Sequence, residues 1–411
     1  MAQLNITLNQ EEILQLLCDD REGAFKTLLQ ESLNSILQAE STAQLGADKY
    51  ERSLLRNDCR NGSRERKLKT RIGTIDLSIP RHRNVPFKTL IFDNYSRSEG
   101  ALVTTMAEMV VNGVSTRKVA TIMETLCGES YSKSTVSEVC KQLDTSVNNF
   151  KNRPLENRYP FLYVDATYFK VRGERRIEAR ALMVALAYTE DGTREIVGFE
   201  VYENESNETW KLFLESLKKR GLTGLKMITS DAHQGIIYAI SKVFPEVPWQ
   251  RCQTHFSKNV IETAPKKYKK AIHASLTDMY NSSNIEEARA KRDEILNEYR
   301  SVAEKSMECL ENGFENVMTI MALPVGFRRF MRTSNHLERL NKELKRRSHV
   351  IGIFPNEESL IRLMGSVLVE INDVYSLEQK LCISKKDKEA LEKCATKLLV
   401  IAKEQQRMLA I

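Results

Sequence analysis

"FLYVDATYFKV", residues 161–171, is rich in aromatic and β-branched side chains, the composition of a buried strand, yet it carries Asp165 near its centre. A strand interior is a poor place for an aspartate, whose carboxylate competes for backbone hydrogen bonds and resists burial. An edge strand or an outward-facing carboxylate is the structural alternative. Working outward, "ARALMVALAYT" (179–189) reads as a second strand, and "DGTREIVGFEVYE" (191–203) as a turn and a third. "NETWKLFLESLKKRG" (207–221) is an amphipathic helix with Asn207 or Thr209 near its cap and Gly221 after its end. "LKMITSDAH" (225–233) is a fourth strand, "GIIYAISKVFP" (235–245) a helix, and "VPWQRCQTHF" (247–256) a short fifth strand.

Three antiparallel-compatible strands, then helix, strand, helix and strand, predict an α/β core of the ribonuclease H-like kind over residues 158–256. Asp231 ends the fourth strand, where an aspartate also serves as a helix N-cap. If the first and fourth strands are neighbours, Asp165 and Asp231 meet at one edge of the sheet. Residues 257–325 are charged and helical, an insertion or an appended bundle. A glutamate-bearing helix follows within 326–365, and helices complete 366–411.

That later helix is "TSNHLERLNKELKRRS" (333–348), with two carboxylates among five lysines and arginines and His336. At 100° per residue, Leu337, Leu340 and Leu344 form one apolar stripe. Asn335, Glu338, Lys342 and Lys345 gather on another face, and Glu343 lies about 140° from Glu338. Glu338 could simply pair with Lys342 at i,i+4 on a solvated helix. Two aspartates and one glutamate are also the oxygen donors that hold two Mg²⁺ ions for an in-line displacement at a phosphodiester.

The N-terminal part has a different character. Residues 1–57 read as helical, with apolar positions such as Ile13, Leu16, Leu17, Phe25, Leu28 and Leu29 at helical spacing, and "AESTAQLGADKYERS" continuing them. Packing within the chain and dimerisation both fit. Residues 58–95 hold a basic β-hairpin, "KLKTRIGTIDLSIPRHR", in which Leu68, Thr70 and Ile72, then Ile75, Leu77 and Ile79, alternate around Gly73. From Arg56 to Arg83 nine Lys or Arg face three acids, and Arg64, Arg66, Lys67, Lys69 and Arg71 are candidate phosphate contacts; a solvated face is the alternative. Residues 96–150 carry a helix-turn-helix pattern, Val119 to Leu126 and Val136 to Leu143, with Ser132 or Ser134 suited to cap the second helix. That helix would offer Lys133, Ser134, Thr135, Ser137 and Lys141 to DNA.

Eight scattered cysteines without a CxxC pair argue against a zinc ribbon and against a disulfide-stapled scaffold. The N-terminus lacks the basic-then-apolar pattern of a signal peptide, and no apolar run reaches membrane-spanning length. A reduced, cytoplasmic, nucleoid-associated protein is expected, and a net charge of +7 suits an acidic partner.

"YVDATYFKVR", "GFEVYENESNETWKLFLESLKKRGL", "ITSDAHQG", "VPWQRCQTHFSKNV" and "RTSNHLERLNKELKRRSHVIGIFPN" together resemble the Mutator-type bacterial insertion-sequence transposases, within the DDE transposases. The resemblance implies a ribonuclease H-like core interrupted by a helical insertion, with Asp165, Asp231 and Glu338 as catalytic and metal-binding residues. Its glutamate falls in an Asn-x-x-Glu-Arg pattern with a basic residue seven positions on; Glu338 has Lys345 there, whereas Glu343 has Val350. Arg339, Lys342 and Lys345 would face DNA. The resemblance further implies two Mg²⁺ ions, with Mn²⁺ able to substitute, and a homodimer on the two terminal inverted repeats. Target DNA and a circular transposon intermediate are implied too. It carries a Cys-x-x-His pair, matched by Cys252 and His255; two ligands make a poor zinc site, so packing near the active site is expected. Trp210 could stack on a DNA base or lie in the core, His233 could stand near the metals, and Asn335 shares the glutamate's motif. Two rivals remain: a transposase-derived DNA-binding regulator without catalysis, and a nuclease that cuts without joining.

Overall fold

The computed structural model describes residues 21–51, 56–70, 73–89, 100–127, 131–378, 380–381 and 383–409. Ile13, Leu16, Leu17, Arg71 and Ile72 lie outside them. The chain divides into two compact units between Gln142 and Leu143.

In the first unit a long helix, α1 (Arg21–Leu45), packs on an antiparallel hairpin of β1 (Arg60–Thr70) and β2 (Gly73–His82). Leu37 of α1 and Leu68, Ile75, Leu77 and Ile79 of the hairpin form a small buried cluster. The alternation expected around Gly73 is present, and β1 begins earlier than the alternating stretch, at Arg60. The helical reading to residue 57 stops short: α1 ends at Leu45 because Gly46 turns left-handed (φ +66°) and its N–H closes on Thr42 O at 2.9 Å. Three shorter helices follow, α2 (Gly100–Val111), α3 (Thr116–Cys127) and α4 (Lys133–Cys140), around Met106, Val119, Met123, Tyr131 and Val136. Ser132 caps α4 by accepting from Thr135 N.

The second unit opens with α5 (Leu143–Asn152), most of which lies within the stretch 96–150 read from sequence as the helix-turn-helix region. Asp144 makes a bidentate pair with Arg362 (2.7 and 2.8 Å), which binds α5 to this unit. A mixed five-stranded sheet follows in the order β5-β4-β3-β6-β7: β3 (Phe161–Arg172), β4 (Ile177–Tyr188), β5 (Arg194–Tyr202), β6 (Met227–Ser230) and β7 (Trp249–Arg251). The first three are antiparallel; β6 runs parallel to β3, and β7 parallel to β6. The parallel pairing needs crossovers, supplied by α6 (Asn207–Lys219) and α7 (Gln234–Val243). Ser206 and Thr209 form a reciprocal capping box that starts α6. One face of the sheet, with Leu162, Val164, Met183 and Ile228, packs on Trp210, Phe213 and Leu217 of α6 and Ile236 and Ile240 of α7.

Helices α8 (Gln253–Glu262), α9 (Lys269–Tyr280), α10 (Ile285–Tyr299) and α11 (Glu304–Val317) then form an all-helical segment beginning directly after β7. Helix α12 (Val325–Met331) leads into α13 (Asn335–Ser348). Helix α14 (Glu357–Leu377) packs on β5 and runs through the boundary expected at 365; α15 (Lys385–Lys393) and α16 (Ala395–Leu409) follow. Among the described residues no helix is long and apolar enough to cross a membrane.

Candidate active site

The pairing of two strands brings the aspartates near each other. Strands β3 and β6 pair Phe161 with Met227, Leu162 with Ile228 and Tyr163 with Thr229. Asp165 lies two residues past the last paired position of β3 and Asp231 one residue past the end of β6, near enough for the charge of Asp231 to act on Asp165. Asp165 Oδ1 accepts from Ala166 N (2.9 Å), and Oδ2 from Asn341 Nδ2 (2.8 Å). Burial first, and then the charge of Asp231, push the Asp165 carboxyl up to about 7.

Glu338 comes from far along the chain, on a segment stapled to the same sheet edge. Tyr163 Oη donates to Phe330 O (2.8 Å), Thr229 Oγ1 to Met331 O (3.1 Å), and Gln253 N to Arg332 O (3.0 Å). Buried Ser334 then donates through both N and Oγ to the Cys252 sulfur, at 3.3 and 3.2 Å. Glu338 sits in the first turn of α13, with His255 Nε2 at 3.5 Å and Lys258 Nζ at 3.9 Å from its Oε1. Cys252 raises the His255 imidazole to about 8, with Asp165 and Glu338 adding to the rise. The His255 Nδ1 is buried without a hydrogen-bond partner.

Glu343 faces elsewhere. It binds Arg346 through both oxygens (2.7 Å each) and Arg347 at 2.8 Å, and Arg347 continues to Glu370 at 3.0 Å. This is a structural network joining α13 to α14.

Among the described residues, no group of three or more His, Cys, Asp or Glu side chains is arranged to hold a metal ion. Asp165, Asp231 and Glu338 therefore share one region without converging on one point. Mg²⁺ asks for less than a full protein cage: one or two carboxylates, with water and phosphate oxygens completing the shell. The all-oxygen donor set fits such an ion. So do two buried acceptors without hydrogen-bond partners, Glu338 Oε1 and Asn341 Oδ1.

Residues 1–377 match the family model described as "Transposase, Mutator family". The chain belongs to the Mutator family of transposases. The transposase for insertion sequence element IS256 in transposon Tn4001 of Staphylococcus aureus is 40% identical over 382 residues, 92% of this chain and 98% of that one. The transposase for insertion sequence element ISRM5 of Rhizobium meliloti (strain 1021) is 39% identical over 355 residues, 86% of this chain and 88% of that one. A solved Drosophila P element transposase strand transfer complex is similar at a TM-score of 0.29 and 11% identity, covering 78% of this chain and 92% of that chain, a likeness too slight to bear on the fold.

The remaining candidates have definite places in this Mutator-family transposase. Trp210 is fully buried, with its Nε1 3.3 Å from Glu205 Oε2, so of its two readings the burial fits the core one, with no indole face open to a base. His233 caps α7, its Nδ1 accepting from Gly235 N. Asn335 is exposed at the start of α13, 3.5 Å from Thr254 Oγ1. On β1, Arg64 and Lys67 are exposed while Arg66 and Lys69 are half-buried, Lys69 lying 4.4 Å from the Tyr131 ring centroid. On α4, Lys133, Ser134 and Thr135 are exposed, but both hydroxyls also bond the Ser132 cap. Lys141 pairs with Glu138 at 2.8 Å. Arg339, Lys342 and Lys345 are exposed on α13. Reading by residue type passed over Asn341 and Lys258. Each lies three positions beyond a flagged residue, Glu338 and His255, so helical spacing was the available signal.

Proposed function

We propose that this transposase binds the terminal inverted repeats of an insertion sequence and catalyses strand cleavage and strand transfer with Asp165, Asp231 and Glu338. The observation that carries the reading is the nearness of Asp231, just past β6, to Asp165 on the adjacent strand, with Asn341 tying the Glu338 helix to Asp165. The sheet order, with β3 central between an antiparallel neighbour, β4, and a parallel one, β6, supports a ribonuclease H-like core with α8–α11 as its helical insertion.

Asp165 and Asp231, with Glu338, would hold two Mg²⁺ ions, or Mn²⁺ in their place. Once bound, the ions supply charge stabilisation for the attacking and leaving oxygens of an in-line displacement. The protein's own part is positioning. The sheet edge fixes both aspartates, and the contacts of Tyr163, Thr229, Gln253 and Cys252 fix the entry to α13. His255 and Lys258 hold the Glu338 carboxylate from the side. No Ser or Tyr nucleophile is required, because water attacks first and the freed 3′-hydroxyl attacks the second phosphodiester.

The hairpin cations, with α3 and α4 as a helix-turn-helix, would read the terminal repeats. Arg339, Lys342 and Lys345 would contact backbone beside the reacting phosphodiester. Two copies would join the transposon ends in a homodimer, and the product would be a circular intermediate, formed on the nucleoid.

The deciding experiment uses labelled DNA with the element's own terminal repeat and Mg²⁺ or Mn²⁺. Asp165→Asn, Asp231→Asn and Glu338→Gln should abolish cleavage and joining while leaving binding intact, and Glu343→Gln should remain active. Normal cleavage by Glu338→Gln overturns the assignment. Cleavage without any joined product favours a nuclease, and binding without cleavage by wild type favours a regulator.

A further inference from the structure

Beside Glu338 a recess of about 310 Å³ opens between α8, α9 and residues 332–333. Its wall includes Lys258, Arg332 and His273 together with Thr254, Tyr280 and Asn281, and none of its lining residues is acidic. Lys258 connects the recess to the active site, since its ammonium stands 3.9 Å from Glu338 Oε1. Arg332 is fixed at the opposite side: its backbone carbonyl accepts from Gln253 N, and its Nη1 donates to Asn281 Oδ1 at 3.1 Å. The lining thus carries two permanent cations among hydroxyls and amides; Glu338 offsets part of the Lys258 charge from outside the recess, and Arg332 faces no carboxylate in the lining, so the wall keeps a positive balance. Hydroxyl and amide donors suit tetrahedral oxygens, and the volume suits a sugar-phosphate unit.

We propose that this recess holds one phosphate of the DNA strand running through the active site, so that the first helices of the insertion fix where that strand is cut. The proposal rests on the function argued above. It assigns to Lys258 and Arg332 a strand-positioning task beyond the pairing of Lys258 with Glu338. Core and insertion are both needed to form the wall, because α8 continues directly from β7 and α9 supplies Tyr280 and the approach to Asn281. A strand seated there is aligned by both.

The test scans single uncharged methylphosphonates across the phosphates flanking the cleaved bond of a terminal-repeat duplex. Binding is measured without divalent ions for wild type, Lys258→Gln, and Lys258→Gln with Arg332→Gln. Wild type should lose affinity at one position, or at two adjacent ones. The variants should bind native DNA more weakly, with the slope of log K against log salt reduced by about one for each cation removed. They should show no further loss at that same position, the non-additivity expected of groups in contact. Lys258 is exposed, so its single variant carries the test even if removing Arg332 loosens α9. Additive losses at every position, or unchanged native affinity, overturn the proposal. So does competition by inorganic phosphate that is equally potent against wild type and variants. The cleavage assay keeps the two readings apart: a wild-type protein that cleaves and joins while the scan is additive defeats the recess alone, and one inert toward DNA defeats the function.

Discussion

Asn341 Nδ2 donates to Asp165 Oδ2 at 2.8 Å, joining the helix of the candidate glutamate to the strand of the first aspartate. Asn341 lies one turn beyond Glu338, so the two side chains share a face of α13. The amide N–H favours the charged form of a carboxylate that burial and Asp231 otherwise push toward neutrality.

Removing that amide should therefore cost catalysis rather than binding. A hydrogen bond to a charged group contributes about 1.5–3 kcal/mol, so Asn341→Ala should slow single-turnover cleavage by roughly 10- to 100-fold. Affinity for terminal-repeat DNA should stay within about twofold, because the side chain is turned away from solvent toward Asp165. Cleavage at the wild-type rate would remove Asn341 from the site.

Glu343 should reveal its structural role through pH. Its bonds to Arg346 and Arg347 hold the carboxyl at about 2, against an ordinary 4.5. A depressed carboxyl stabilises the fold above the unfolded value and loses that contribution as pH falls toward the folded one. Glu343→Gln should thus be less stable by about 1–2 kcal/mol at pH 7, after allowance for its partial exposure. The gap should hold to about pH 5 and narrow below 4.5. Urea midpoints from pH 7 to 3.5 would check this, and a gap that widens on acidification would contradict it.

Trp210→Ala should behave as a core truncation. It should cost about 3–5 kcal/mol in unfolding experiments, with Trp210→Phe milder. Folded variant should bind DNA as wild type does. A selective loss of DNA affinity in a stably folded Trp210→Phe protein would reopen a stacking role.

Cys252 is expected to matter as an acceptor. Cys252→Ala leaves the buried N–H and hydroxyl of Ser334 unpartnered, at a cost of about 1–3 kcal/mol. Adding Ser334→Ala should cost less than the sum of the single changes, since the partners are in contact. Strict additivity in denaturant titrations would show that the contact carries no energy.

Neutralising Arg64 or Lys67 on β1 should weaken binding evenly across DNA sequences. Each should lower the salt slope by about one. A change confined to one base position in a sequence panel would instead mean direct readout.

Much of this was legible locally. Alternating apolar residues marked β2, aromatic and β-branched residues marked β3, and Ser132 marked the start of α4, because such signals lie within a few residues; the cap of α6 is Ser206, just ahead of the Asn207 or Thr209 expected. The end of α1 was less legible. "AESTAQLGADKYERS" is helix-compatible in composition, and only the left-handed turn at Gly46 shows where the helix stops. The place of α5 was not legible locally either: it is held by Arg362, more than two hundred positions along the chain, and no local pattern reports such a partner.

Most strands and helices and a short list of carboxylates were legible from local sequence, because backbone period and side-chain chemistry are properties of neighbouring residues; the ends of α1 and β7 were not. Tertiary structure decided which of those carboxylates meet. The parallel pairing of β3 and β6 brings Asp231 near Asp165, and Arg346 and Arg347 occupy Glu343. Trp210 is buried by the packing of α6 on the sheet, while Asn341 and Lys258 gain their significance from what α13 and α8 face. Each of these depends on a crossover or a distant backbone contact, and free energy of that kind becomes visible only when the chain has closed on itself.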